Sequence, residues 1–463
     1  MTSPRSFLSI LGPGLLFAGA AVGVSHLVQS TRAGAMFGLG MIGFVILANV
    51  IKYPAFAFGP LYAAATGTSL LEGYRKQGPW ALWLYGVLTV GTMFTVQAAV
   101  THVTAGLART TLLPGNLVDL SLGPVAVPPR FLETLTALLP ESLNASVLNL
   151  VSNPLVITPN VYVAAVLLLA CGATVAIGGY RWLDRIIKVV VVVLTLSTLV
   201  ATLMSLTVMD SASLKPWPAS SDWTRANVLF LAGLIGWMPC AIDASVWHSL
   251  WTLARSENRD EVPHPKEALL DFNVGYIGTA MLAICFLTMG ASVMHGREIE
   301  FQNSTGAFAG QVIALYTTTL GEWAGPIIGL CAFTVMLSTT LTVLDGFARA
   351  LAAFVDRVRG PEVPGQAEGG RAAYIVSLIV IGSGSLLLLQ FYIGGLLGLV
   401  TLATTLSFLT GPILAWLNHR AICGEEVPEA HRPGERMRLF SLVCVGLLTA
   451  LALIWIVAKF AIG

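Results

Sequence analysis

Two short stretches carry residues able to do chemistry inside otherwise apolar runs: Gly23-Val24-Ser25-His26 and Met238-Pro239-Cys240. Imidazole, thioether and thiolate together favour a borderline or thiophilic metal, which makes His26, Met238 and Cys240 the candidate metal ligands. Neither stretch holds a carboxylate. A hard divalent ion stripped of water needs anionic compensation or a dense oxygen shell, and would be poorly held here. The same positions also read as a solute site. Gly23, Ser25, His26, Ile235, Met238 and Cys240 would then supply side chains and the backbone carbonyls that an interrupted helix leaves free, with His26 bonded to one such carbonyl.

Charges inside apolar runs form a second group: Lys52, Asp243 and Asp345. A charge at the bilayer centre costs about 2.5–3.5 kcal/mol on insertion scales, so each needs a partner or a function. Lys52 is expected to pair with Asp243 or Asp345, or to lend positive potential to a pathway suited to an anionic solute. Asp345, near the inner end of its run, is expected to face a water-filled vestibule. Gln97, with Thr95 and Thr101, makes a polar stripe that reads as interhelical hydrogen bonding and as a candidate pathway position. His102 reads as solvated, and Trp237 as packing beside the second stretch.

The elements that must position these groups follow from composition. The chain of 463 residues is 56% hydrophobic and 11% charged, with a net charge of +1, where soluble domains carry about 25% charged residues. A nucleic-acid binder with its basic excess is excluded, as is a disordered chain. What remains is an all-α integral membrane protein with the lipid bilayer as its solvent. Apolar runs near the roughly 20 residues needed to cross a membrane occur at 8–37, 39–64, 79–106, 157–177, 186–209, 228–251, 270–294, 323–348, 373–391, 394–417 and 439–461, which predicts 11 transmembrane helices. The first run is long and followed by others, so it reads as an uncleaved helix rather than a signal peptide.

Most Lys and Arg fall on one side of these spans, among them Arg75, Lys76, Arg181, Arg185, Arg255, Arg259, Arg357 and Arg359. The positive-inside rule then places the N-terminus in the cytoplasm and the C-terminus outside. The Ala/Gly/Leu-rich composition points to a bacterial inner membrane. Residues 110–154 form an external insertion, with Arg130–Leu139 as a short interfacial helix, and 303–321 lie along the outer surface. The six cysteines show no metal or disulfide spacing and read as small hydrophobes, with Cys423 in a loop.

Gly23 interrupts span 1 and Pro239 interrupts span 6, with matching depth in each. That is the pattern of a 5+5 inverted repeat, 8–209 and 228–417, with 439–461 as an additional helix, all within a single transmembrane domain, 1–463. Interrupted helices at corresponding positions of two halves are the best sequence pointer to a transporter's binding site.

Several segments resemble the natural resistance-associated macrophage protein (Nramp) family of divalent-metal transporters: Gly12-Pro-Gly opening span 1, Ala33-Gly-Ala-Met-Phe-Gly38 closing it, Leu47-Ala-Asn49, and Ala65-Thr-Gly67 followed by Leu70 and Glu72. Met238-Pro239 and the Ser338-Thr-Thr-Leu-Thr342 run fit the same pattern. The resemblance implies a LeuT-type fold with spans 1 and 6 broken at mid-membrane, and a metal ion as the default substrate. It departs from the family at the site. Gly23-Val24-Ser25-His26 stands where the family has Asp-Pro-Gly-Asn, and Met238-Pro239-Cys240 where it has Met-Pro-His. Span 3 lacks the family's proton-route carboxylates and reads Thr92-Met-Phe-Thr-Val-Gln97, and span 9 offers only Arg371 for a pair of arginines.

The expected function is therefore alternating-access transport of a small solute, either a metal ion without proton coupling or a small organic or anionic solute. A membrane-embedded enzyme would need a motif such as HExxH, and none is present. Asp243 and His248 are five residues apart, so they do not share a helix face. A non-transporting sensor would carry a soluble domain for which no segment is long enough. No cofactor motif occurs, and a monomer suffices.

Overall fold

The computed structural model describes residues 11–112, 158–215, 217–218, 223–259, 263–296, 302–362, 370–391 and 395–460. Every regular element among them is helical. The predicted helix at Arg130–Leu139 lies outside the described residues.

The elements are α1 (Pro13–Ala21), a π-helical turn (Ser25–Ser30), α2 (Thr31–Phe37), α3 (Ile42–Thr66), α4 (Leu70–Gln77), α5 (Pro79–Leu112) and α6 (Pro159–Ser205). After them come α7 (Arg225–Trp237), α8 (Ala244–Arg259), α9 (Pro265–Val293), α10 (Thr305–Leu320), α11 (Gly325–Arg359), α12 (Arg371–Phe391), α13 (Gly395–Ile422) and α14 (Glu435–Phe460). Among the described residues, 9 stretches are long and apolar enough to cross a membrane, and the chain is an integral membrane protein. The half-helices α1, α7 and α8 are too short to be counted among them. Each belongs to a predicted span that the structure shows interrupted, span 1 after Ala21 and span 6 after Trp237.

Predicted spans 4 and 5 are joined. Helical hydrogen bonding runs through all 47 residues of α6, yet the run is folded sharply. A Cβ built on Gly178 would stand 2.7 Å from the Trp182 Cβ, where an i,i+4 pair in a straight helix is separated by about 5–6 Å. Asn160 meets His102 near the end of α5, and Thr198 reaches Tyr316 on α10, which packs on that same end. Tyr180 instead stands against Gly12 at the start of α1. Both ends of α6 therefore return to one side, and only glycine fits the bend.

The inner and outer helices differ in burial. In the apolar windows of the α5 and α9 spans 67% of residues are buried, and 72% in the α11 span, against 28% for α12 and α14. α11 packs on α5 and α6, and α9 packs along α1, α2 and α3. α12 and α14 present Leu387, Ile379, Leu439 and Leu453 outward, as lipid requires.

Polar bonds close the α4 end of the bundle. The Glu362 carboxylate accepts from the Ser69 backbone N–H at 3.0 Å and its hydroxyl at 2.8 Å, capping α4 from the far end of α11. Glu72 accepts the Glu362 N–H at 3.1 Å and pairs with Arg75 at 2.7 Å, and this bond raises the Arg75 pKa above its ordinary value. Arg357 reaches Glu362 at 3.5 Å.

Candidate solute site at the helix breaks

α1 stops at Ala21 because Val22 leaves the helical region at φ −80°, ψ 78°. The chain re-enters helical bonding when the His26 and Leu27 N–H groups return to Gly23 O at 3.1 and 2.8 Å. The interruption leaves α1 carbonyls without helical partners, and Thr339 of α11 fills part of the gap, its Oγ1 2.9 Å from Gly19 O and 3.0 Å from Val22 O. Gly23 permits this approach: a Cβ there would stand 2.6 Å from Thr339 Cγ2. Thr339 belongs to the Ser338–Thr342 run, but its role as a cap on the break escaped the sequence reading.

The second interruption runs from Met238 to Asp243, through a cis Met238–Pro239 peptide, before α8 begins. The two breaks meet at Ser25. Its Oγ lies 2.7 Å from Ala21 O, 2.9 Å from Pro239 O and 2.7 Å from His26 Nδ1. One hydroxyl proton cannot serve three acceptors. His26 Nε2 stands 2.9 Å from Thr279 O, and a carbonyl only accepts, so Nε2 carries the hydrogen. In neutral imidazole Nδ1 is then the acceptor, and it takes the Ser25 proton. Ala21 O accepts the Gly23 N–H at 2.9 Å, so Pro239 O is the carbonyl left in contact with a hydroxyl that has no hydrogen to give it. The junction has a spare acceptor.

Burial shuts this junction off. His26 and Met238 are 0% exposed, Ser25 and Ile235 are buried, and Cys240 is half-buried. Both His26 nitrogens are committed, but the carbonyl that holds Nε2 is Thr279 O within the uninterrupted α9, not one freed by a break. Among the described residues no three His, Cys, Asp or Glu side chains gather to hold a metal ion. Trp237 packs beside the break, its Nε1 donating to Ser407 Oγ at 2.7 Å.

Lys52 does not pair with Asp243 or Asp345, contrary to the expectation. Its ammonium, 2% exposed, donates to Gly236 O at 2.6 Å and reaches Cys240 O at 3.4 Å. The reason is that the end of α7 offers carbonyls with no intrahelical partner and the negative pole of a helix dipole. Asp243, at the opposite side of the break, accepts from Thr89 at 3.3 Å through Oδ1. Its Oδ2 is buried without a hydrogen-bond partner.

Asp345 does not face a vestibule. It is 0% exposed and accepts from Trp251 Nε1 at 2.8 Å, Arg349 Nε at 2.8 Å and Tyr374 OH at 2.6 Å, which ties α8, α11 and α12 together. Gln97 stays away from the breaks: its Nε2 reaches Thr101 at 3.0 Å and Thr340 O at 3.4 Å, the interhelical role expected. His102 is not simply solvated, since its Nδ1 meets Asn160 at 2.6 Å. Asp271 was overlooked as a charge at the edge of span 7. It accepts from the Gly12 and Gly14 N–H groups at 2.9 and 2.8 Å and holds the start of α1.

No protein-family model matches the chain. Uncharacterized protein PM0681 of Pasteurella multocida (strain Pm70) is 32% identical over 455 residues, which cover 98% of this chain and 93% of the relative. The chain belongs to the same family as PM0681. Among solved structures, a mutant of the manganese transporter of Eremococcus coleocola superposes with a TM-score of 0.65 at 12% identity, over 99% of this chain and 90% of that one. MhsT in complex with L-phenylalanine gives 0.60 at 13% identity, over 97% and 98% of the two chains. Mhp1, a nucleobase-cation-symport-1 family transporter with bromovinylhydantoin bound, gives 0.53 at 13% identity, over 97% and 93%. At these identities what is shared is the fold, the LeuT-type arrangement of membrane transporters.

Proposed function

We propose that this protein is a secondary transporter that moves a small polar organic solute by alternating access around the α1 and α7–α8 breaks. The observation that carries the reading is the junction at Ser25, where one hydroxyl proton faces Ala21 O, Pro239 O and His26 Nδ1. Ala21 O has the Gly23 N–H as a donor, which leaves Pro239 O as a spare acceptor at the meeting point of two interrupted helices, suited to a solute with an N–H or O–H group. In this reading Gly23, Ser25, His26, Ile235, Met238 and Cys240 line the site, while Lys52 and Asp243 set its charge.

The resemblance to the Nramp family makes a metal ion the competing substrate, and Met238 remains a soft donor. Against it stands the doubly committed His26. The site position matching the family's aspartate is Gly23, which is crowded by Thr339. The N-terminus is assigned to the cytoplasm of a bacterial inner membrane by the Lys/Arg bias, with residues 8–209 and 228–417 as inverted repeats.

Uptake into proteoliposomes tests the reading, with amino acids, nucleobases and small carboxylates in parallel with Mn²⁺ and Cd²⁺. Saturable uptake of an organic solute that does not acidify the vesicle lumen is the expected result. Saturable Mn²⁺ or Cd²⁺ uptake, abolished by His26→Ala and Met238→Ala, would overturn it.

A further inference from the structure

Lys52 is a buried ammonium that has chosen main-chain carbonyls over carboxylates. Its Nζ lies 2.6 Å from Gly236 O and 3.4 Å from Cys240 O, so it touches the break in the α7–α8 chain on both sides of Pro239. Gly236 is next to the last residue of α7, whose terminal carbonyls have no intrahelical partner and carry about half a unit of negative charge. Such a set of inward carbonyls at an interrupted helix is what a free inorganic cation needs, since unwound backbone and half-helix C-termini supply its oxygen ligands. Here the position is filled from α3 by a side chain.

We propose that Lys52 is a tethered cation. It holds, in covalently attached form, the carbonyl-lined position that a monovalent cation such as Na⁺ or K⁺ would otherwise have to enter and leave. Removing the ammonium uncovers a cation site, and the protein with Lys52 intact needs no inorganic cation there. The consequence for coupling rests on the transporter reading above, but cation binding at the break does not, and the two fail separately.

The experiment uses the full-length protein purified in detergent, with choline as the inert replacement ion and Na⁺ or K⁺ as probes. The thermal midpoint of the unsubstituted protein is expected to be the same in all three salts, and ²²Na⁺ is expected not to bind. Lys52→Ala is expected to melt lower in choline and to recover saturably with Na⁺ or K⁺, by about 3 °C at an ion concentration 100 times Kd. Lys52→Gln, which retains an N–H donor for Gly236 O, guards against a failure of Lys52→Ala to fold and is expected to show the same recovery in smaller degree. Stoichiometric ²²Na⁺ binding to the unsubstituted protein would overturn the proposal. So would a folded Lys52→Ala or Lys52→Gln protein whose midpoint is indifferent to Na⁺ and K⁺. If neither variant folds, ²²Na⁺ binding to the unsubstituted protein decides alone.

Discussion

Asp345 and Lys52 are both buried inside apolar helices, yet their surroundings differ in kind. Asp345 is saturated: indole, guanidinium and phenol donors from three helices converge on its two oxygens. Lys52 leans on two carbonyls of an interrupted helix and has no carboxylate bonded to it. Fully partnered buried networks fix one arrangement of the helices around them. A charge held by the backbone at a helix break is instead placed where that backbone can move or exchange its partners. The comparison assigns Asp345 to the scaffold and Lys52 to the working part.

The largest effect on stability is expected at Asp345. Asp345→Ala removes the acceptor of three bonds and leaves Arg349 without its carboxylate, a loss of about 3 kcal/mol, at the low end for a buried pair because the Arg349 side chain is 23% exposed. A fall in the thermal midpoint in detergent with unchanged solute selectivity is the result that fits. A stable Asp345→Ala protein with altered selectivity would move Asp345 into the working part.

Gly23→Asp comes next. It places at the break the carboxylate that the family resemblance expects, but its Cβ would lie 2.6 Å from Thr339 Cγ2. Overpacking of that sort costs about 1–3 kcal/mol. Thr339→Ser removes the nearest colliding group, the methyl, and keeps the hydroxyl at 2.9 Å, so the double variant should regain part of the loss in a thermal melt. Equal melts for the single and double variants would show that Thr339 does not set the residue at position 23.

Ser25→Ala separates the two parts in the opposite sense. Net hydrogen-bond contributions are about 1 kcal/mol, so the melt should change little, whereas uptake should fall about tenfold, the equivalent of 1.4 kcal/mol in the transition state. Unchanged uptake would remove Ser25 from the site. The smallest effect is expected at Gln97, whose Oε1 is buried without a partner. Gln97→Met, paired with Thr101→Val, exchanges an imperfect polar contact for packing and should leave both melt and uptake near their starting values.

The sequence carried the interruptions through the pairing of Gly23 and Pro239 at corresponding positions of the two halves, since a Pro alone does not break a span: α3 runs on through Pro54 and Pro60, and α13 through Pro412. It also carried the Lys/Arg asymmetry and the membrane class. It did not carry the partner of Lys52, since backbone carbonyls have no sequence signature and a search among side chains finds only Asp243 and Asp345. The Asp345 cluster was half visible: Arg349 stands four residues on along the same helix face, a spacing that marks an ion pair, whereas Trp251 and Tyr374 arrive from other helices. The proton shortage at Ser25 depends on three acceptors drawn from two breaks, and no linear pattern contains it. The folding of α6 at Gly178 was likewise hidden, because a break in apolar character predicts two spans without saying that helical bonding continues through the turn.

The most direct measurement is a structure of the protein determined with a transported solute bound. The account predicts density between Gly23–His26 and Ile235–Cys240, with a donor group of the solute within hydrogen-bond distance of Pro239 O. Density confined to another part of the molecule would contradict it, as would a metal peak at about 2.0–2.3 Å from His26 and Cys240.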